Sequence, residues 1–453
     1  MKTIFKKLNE SKIFRDLNEQ EFAWVLYDVG NSAFTMLGCS LIPIWFKTLA
    51  IGEGPGKISG DNATAYWALA TSIVTVIVAL IGPFFGAIAD HKDTKKIIFT
   101  TSVAGGVIGC IINGFATSWL LFLIIYILAK IFYQISLTVY DSMLNDVTTD
   151  DRSDAVSAYG YAWGYIGSCI PFTFALVAYV LGPDMVGMIS GPVSRLIGFA
   201  VTAVWWWMVT VPLIRNYRQL NYSSAEKGAV ARAFSKIFVT LRRIAVEDRK
   251  VLYFLIAFFL YIDGVGTIID NCINIGTDLG LNTVGQVIFL LLTQVVAWLG
   301  SLVFAKLSKT MDTVTLIQIC ILGYTAVCLY ALTLTHLWQF AVMAFGVGCF
   351  QGSIQSLSRS YYAKIIPDEN SGEYFGIYDI FAKGASFLGS FLIYVVKKIG
   401  IKTGGIFNVF GASIRSINVA IGLLAFFFLF GLVFIKLADK QPQSEESKKD
   451  ITE

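Results

Sequence analysis

Histidine is nearly absent from this chain: two of 453 residues, His91 and His336, both beside expected helix ends. A metal centre built on imidazole is thereby excluded. Charge is scarce as well. Asp, Glu, Lys and Arg make up 15% of the residues, apolar residues 56%, and the mean hydropathy is +0.67, values outside the soluble and disordered classes. The seven cysteines (Cys39, Cys110, Cys169, Cys272, Cys320, Cys328, Cys349) fall inside apolar runs without Cys-x-x-Cys spacing. They read as small packing residues rather than a redox or metal framework. No Gly-x-x-x-x-Gly-Lys-Ser/Thr loop, Gly-x-Ser-x-Gly elbow or His-Glu-x-x-His helix is present. ATP-driven and hydrolytic chemistry therefore lack their parts, and neither an enzyme nor a cofactor is expected.

What is abundant is apolar sequence of membrane-spanning length. Twelve stretches qualify, near 22–47, 65–89, 97–115, 118–144, 155–182, 192–213, 251–273, 283–307, 314–333, 337–365, 373–396 and 416–437. They lack strict two-residue alternation, so helices rather than a barrel satisfy the backbone in lipid. The first run is too long for the apolar part of a cleavable signal. Lys and Arg concentrate on one side: Lys2, Lys6, Lys7, Lys12 and Arg15; Lys92, Lys95 and Lys96; nine basic residues in 214–250; and Lys436, Lys440, Lys448 and Lys449. The bias places both termini in the cytoplasm, with Lys397, Lys398 and Lys402 departing from it. The net charge of +4 follows from this bias, so anionic headgroups suffice as its partner and no nucleic acid is implied. Ile4, Phe5, Leu8, Ile13 and Leu17 among the lysines suit either a helix lying on the inner membrane surface or a frayed terminus.

The chain repeats itself. Residues 82–96, GPFFGAIADHKDTKK, are echoed by 300–314, GSLVFAKLSKTMDTV, about 218 positions later. The hinge from Asn145 between spans 4 and 5 has its counterpart from Lys364 between spans 10 and 11. The expected fold is an all-α membrane protein of twelve transmembrane helices in two pseudo-symmetric six-helix bundles. Its parts are a cytoplasmic arm (1–20), a first bundle (21–213), a cytoplasmic linker (214–250), a second bundle (251–438) and a disordered tail (439–453). Parallel halves of this kind rock about a binding site near the bilayer midplane.

Four segments carry a resemblance: FAWVLYDVGNSAF (22–34), GAIADHKDTKK (86–96), LYIDGVGTII (260–269), and GSIQSLSRSYYAKIIP (352–367) followed by YFGIYDIFAK (374–383). Together they make the chain resemble the major facilitator superfamily, in its vacuole-effluxer-like branch, which includes the yeast amino-acid exporter of the vacuole. The resemblance implies the major facilitator fold and a permease. In the superfamily's loop motif, Gly-x-Leu-Ala-Asp-Arg-x-Gly-Arg-Lys, this chain has His91, Asp93 and Thr94 where Arg, Gly and Arg are expected. Asp90 is retained, and the resemblance implies that it latches the cytoplasmic side against the start of span 11.

Polar residues inside the spans are the candidate site, because lipid leaves such groups unsatisfied and they must face protein or water. Helical spacing puts Lys130, Gln134, Thr138, Asp141 and Asn145 on one stripe of span 4, and Asp263, Thr267, Asp270 and Asn274 on one stripe of span 7. Span 1 adds Asp28, Asn31 and Ser32; span 10 adds Gln351, Gln355, Ser358, Arg359 and Tyr362; span 11 adds Asp379 and Lys383. At about 1.5 Å per residue, Lys130, Asp263, Gln351 and Lys383 fall near the midplane. Asp28, Asp141, Arg359 and Asp379 fall near the cytoplasmic rim and read as gate residues.

Separated Lys and Asp near the midplane suit a zwitterion, with Lys130 or Lys383 facing its carboxylate and Asp263 its ammonium. Tyr159, Tyr161, Trp163 and Tyr165 of span 5 would supply walls, or serve ordinary helix packing. Asp379 and Lys383, one turn apart, either share the solute or neutralise each other. An acid held away from water binds protons more readily, so Asp263, then Asp270 or Asp28, are the expected proton carriers, with Na⁺ coupling or facilitated efflux as the alternatives. The expected protein is a monomeric, proton-coupled permease for amino acids or small peptides in a bacterial plasma membrane, its partners being a small-molecule substrate and the lipid bilayer. An exporter of amphipathic drugs or lysolipids would use the same cavity, and a transporter-like membrane sensor is the rival class.

Overall fold

Asn18 starts the first helix, α1 (Glu19–Cys39). Its side chain accepts the backbone N–H groups of Gln20 at 2.9 Å and Glu21 at 2.8 Å, and its own N–H donates to the Glu21 carboxylate at 2.8 Å. Three otherwise orphaned donors are satisfied, those of Asn18 and Glu21 reciprocally. The chain then bends by 40° at Ser40 into α2 (Leu41–Ala50). The span expected as one rod is therefore two pieces. Pro43 lacks the N–H that would bond the Cys39 carbonyl, and the Ser40 hydroxyl donates to the Met36 carbonyl at 2.6 Å.

The computed structural model describes residues 17–52, 56–183, 185–223, 229–278, 283–401, 406–409 and 412–442, with side chains at 61, 64–65, 229–236, 270–278, 283–288, 383–387, 401, 408–409 and 412–413 outside the description. The expected surface helix in residues 1–16 and most of the expected tail lie outside the described residues. The remaining helices follow in order: α3 (Gly60–Ala89), α4 (Thr94–Gly114), α5 (Trp119–Ser142), α6 (Leu144–Val147), α7 (Asp150–Val180), α8 (Gly191–Asn216), α9 (Ala229–Val246), α10 (Arg249–Asp278), α11 (Thr283–Leu307), α12 (Thr313–Ala331), α13 (Leu337–Ile365), α14 (Ser371–Ile401), α15 (Ser416–Leu423) and α16 (Ala425–Asp439). Among the described residues ten spans are long and apolar enough to cross a membrane, α15 and α16 together forming one, and the bent α1–α2 pair makes an eleventh. The helix α14 stands where the remaining expected span was placed. An antiparallel hairpin, β1 (Ile406–Val409) and β2 (Ala412–Arg415), joins α14 to α15 with Ile406 opposite Arg415.

Contacts divide the chain into two units. One holds Met1–Val156, Trp163–Ile237 and Asp368–Gly376; the other holds Ser157–Ala162, Phe238–Pro367 and Ile377–Glu453. In the first, α1 packs on α8, α3 on α5, and α4 on both α5 and α8. In the second, α10 packs on α16, α11 on α13, and α12 on both α13 and α16. Each pair recurs six spans later, so the sequence repeat is also a packing repeat. Close approach is built the same way in both. A Cβ on Gly30 of α1 would strike Val209 of α8, and one on Gly264 of α10 would strike the Phe428 ring of α16, small residues being what lets such helices touch.

Candidate functional site

Asp90 follows α3 and is fully buried. Its Oδ1 accepts the N–H of Gly372 at 2.7 Å and its Oδ2 that of Glu373 at 2.9 Å. First-turn N–H groups have no partner within their own helix, and the positive end of the helix dipole favours a carboxylate there. The backbones meet so closely that a Cβ on Gly86 would overlap the Gly372 carbonyl, and one on Gly372 the Gly86 carbonyl. Burial pushes the Asp90 carboxyl up to about 7, while Lys95 and the two N–H groups pull the other way and Glu373 adds to the rise.

Lys95 of α4 is entirely buried. Its ammonium meets Asp146 Oδ2 at 3.1 Å, Ser371 Oγ at 3.1 Å and the Ser142 carbonyl at 3.4 Å. Beside Asp146, the Asn145 amide donates to Asp368. Neither Lys95 nor Asp146 was singled out from the sequence as a site residue. Lys95 looks like one more loop charge, and Asp146 lies past the break at Met143, where helical periodicity no longer guides the eye. For the same reason Asn145 leaves the expected span-4 stripe: it stands in α6, not α5.

In the second unit, Asp263 of α10 is fully buried, and among the described residues no side chain hydrogen-bonds its carboxylate, which faces the backbone of Leu388 and Gly389. The backbone of Gly389 in α14 comes so near that a Cβ there would overlap Thr267 Oγ1 and lie 3.0 Å from Asp263 Oδ2. The side chains of Asp270, Asn274 and Lys383 lie outside the described residues, and so does the expected Asp379–Lys383 pair. Asp379 itself is buried.

Arg359 of α13 is 3% exposed. Its Nε donates to Ser157 Oγ at 3.0 Å, a terminal N–H to the Ser157 carbonyl at 3.2 Å, and its guanidinium lies 4.6 Å from the centre of the Tyr161 ring. Ser157 Oγ donates in turn to the Ser356 carbonyl at 2.8 Å. The aromatic run of span 5 is thereby split. Tyr161 serves as a face for Arg359, while Trp163 and Tyr165 stand half-buried in the first unit.

The aromatic faces around Lys130 come from elsewhere. Its ammonium lies 4.5 Å from the Tyr133 ring centre and 5.6 Å from that of Phe34, and Tyr133 shares a 2.5 Å hydrogen bond with Thr35. Asn31 donates to Asp28 at 3.1 Å. Gln355 donates to the Gln351 carbonyl at 3.0 Å, and Thr138 to the Gln134 carbonyl at 3.1 Å. Asp141 is half-buried on α5. A cleft of about 330 Å³ between α7 and α8, and one of about 480 Å³ bordered by α10, α14 and α16, are lined only by apolar side chains such as Phe174 and Phe430. Neither contains a candidate residue. Among the described residues no group of three or more His, Cys, Asp or Glu could hold a metal ion.

Comparison with known proteins places these features. Residues 18–441 match the family described as "Vacuole effluxer Atg22 like". The uncharacterised MFS-type transporter YxiO of Bacillus subtilis is 34% identical over 439 residues, covering 96% of this chain and 98% of that protein. Autophagy-related protein 22-1 of Neosartorya fischeri is 24% identical over 54% of this chain, which spans only 43% of the fungal protein. The solved structure of the proton:xylose symporter XylE is similar with a TM-score of 0.70 at 11% identity, covering 96% of this chain and 98% of that one. Membrane helices whose packing pairs recur six spans later, buried charges along them, and a family match over nearly the whole length agree: the chain belongs to the vacuole effluxer Atg22-like branch of the major facilitator superfamily and is a multi-pass membrane transporter of small molecules, not an enzyme.

Proposed function

We propose that this transporter moves amino acids or small peptides by alternating access, coupled to protons, as a monomer in a bacterial plasma membrane with both termini cytoplasmic. The observation that carries the proposal is Asp263: a carboxylate in the middle of α10, wholly buried, with no side-chain partner among the described residues. An acid so placed in a membrane helix calls for a functional reason. It either binds a cationic group of the solute or exchanges a proton as the solute passes. Lys130, resting on aromatic faces, supplies the opposite charge for a solute carboxylate, with Gln134, Thr267, Gln351, Gln355 and Lys383 as further contacts.

The resemblance to vacuolar amino-acid exporters supports the solute class, and the lysine bias of the expected inner loops supports the orientation. Asp90 with α14, and Arg359 with Ser157, are the proposed gates, with Asp28, Asn31, Asp141 and Asp379 as gating candidates beside them. Labelled amino acids in proteoliposomes, with and without a pH gradient, test the proposal. Gradient-driven accumulation is expected in the wild type and its loss in Asp263→Asn, with the variant still folded and inserted. Unchanged accumulation by that variant would remove Asp263 from the mechanism, and transport of lysolipids or amphipathic drugs in place of amino acids would replace the solute class.

A further inference from the structure

The seven residues after α8 lie across the α3–α4 turn and the end of α5. Tyr217 donates its hydroxyl to Asp146 and accepts Lys96 Nζ on its carbonyl at 3.4 Å. Gln219 donates to the Ala89 carbonyl at 3.1 Å and accepts the Lys95 N–H at 3.3 Å. The N–H groups of Leu220 and Asn221 reach Asp146 Oδ1 at 3.2 and 2.8 Å, and the Asn221 amide donates to the Asn145 carbonyl at 3.1 Å. Tyr222 offers its ring to Lys92 at 5.6 Å. Ser223 donates its N–H to the Asp90 carbonyl at 2.9 Å.

Asp146 thus receives four donors: the Lys95 ammonium, the Tyr217 hydroxyl and two backbone N–H groups. A carboxylate has about four acceptor sites, so it is saturated. Lys95 is saturated too, its three donors directed at Asp146, Ser142 and Ser371. In such a closed set, withdrawing one member leaves another buried and unpaired, which costs more than the bond itself returns. Burial holds the Tyr217 hydroxyl well above its ordinary pKa, so it stays a donor.

We propose that residues 217–223 are a strap that forms and releases together with the hold on the start of α14, and that Asp146 is the positioning residue joining the two. The strap is the first part of the segment that leads on to α9 and the second unit. Any change that draws this segment away therefore loosens Ser371, Gly372 and Glu373 through Lys95. The consequence for transport rests on the alternating-access reading above; the coupling itself does not.

Hydrogen–deuterium exchange of the full chain in detergent micelles, read by mass spectrometry, tests it without any solute. In Tyr217→Phe, which removes one hydroxyl and keeps the ring, peptides covering 217–223 and peptides covering 371–373 are both expected to exchange about two- to tenfold faster than wild type. Asp146→Asn is expected to accelerate both further. Faster exchange confined to 217–223, with 371–373 at wild-type rates in Tyr217→Phe, would overturn the coupling. Failure to find amino-acid transport would bear on the proposed function and leave these exchange rates untouched.

Discussion

Tyr261 repeats in the second unit the contact that Tyr27 makes in the first: its hydroxyl meets Ser358 at 2.6 Å, as that of Tyr27 meets Ser136 at 2.7 Å. Each tyrosine stands three residues before the glycine that lets its helix approach a neighbour, Gly30 or Gly264. The acids break this register. Asp28 follows Tyr27 directly, whereas Asp263 comes two residues after Tyr261. One residue is about 100° around a helix, so the two carboxylates occupy different faces. Asp28 meets Asn31, and Asp263 faces α14.

Because the two tyrosine ties are alike in burial and geometry, Tyr27→Phe and Tyr261→Phe are expected to cost similar amounts, about 0.5–1.5 kcal/mol each. Lying in separate units, they should add in the double variant. Thermal unfolding in detergent checks this, and a strongly unequal pair would show that the repeat is geometric without being energetic.

Removing one partner of the buried Lys95–Asp146 pair leaves a charge enclosed and unmatched. Lys95→Met or Asp146→Asn alone is expected to destabilise by about 3–5 kcal/mol, and both together by less than the sum. Size-exclusion melting curves of the three variants measure it. Additive losses would mean that the two residues act independently.

Asp90 gives a pH signature. Its carboxyl rises from the ordinary acid range to about 7 on folding because it is buried, against the pull of Lys95 and with Glu373 adding to the rise. Between about pH 4 and 7 the folded chain therefore holds a proton that the unfolded chain has lost. Its contribution to stability is fully present below about pH 4 and is lost as pH rises through 7. Melting temperatures from pH 5 to 8 should accordingly fall in the wild type relative to Asp90→Asn, and parallel curves would exclude the shift.

Gly389→Ala is expected to act on Asp263 without touching its charge. The new Cβ would overlap Thr267 and crowd the carboxylate, at a cost of about 1–3 kcal/mol, and gradient-driven accumulation should fall sharply. Accumulation at the wild-type level would show that α14 yields at this point and that the close contact is incidental.

The spans were legible in the sequence because lipid demands long apolar helices. The expected 283–307 and 337–365 coincide with α11 and α13, and 314–333 differs from α12 by two residues at most. The bend at Ser40 was not read, since a single proline near the end of an apolar run leaves the hydropathy signal unchanged. Asp90 was legible through its motif. Lys95, Asp146 and Tyr217 were not, because a charge in a loop looks alike in sequence whether it is solvated or enclosed. The contact of Tyr161 with Arg359 was not legible for a related reason: helical spacing tells which side chains share a face, not what that face meets.

Composition and periodicity by themselves determined that this chain spans a membrane as helices, in two related halves, with acids and bases along them, since the bilayer permits little else. Only the tertiary structure decided which of those charges are enclosed and with whom. Asp90 meets Gly372 across 282 positions of sequence, and Lys95 meets Ser371 across 276. Contacts at such separations depend on how helices pack, and packing is set by close steric fit between distant segments rather than by any pattern local to one of them.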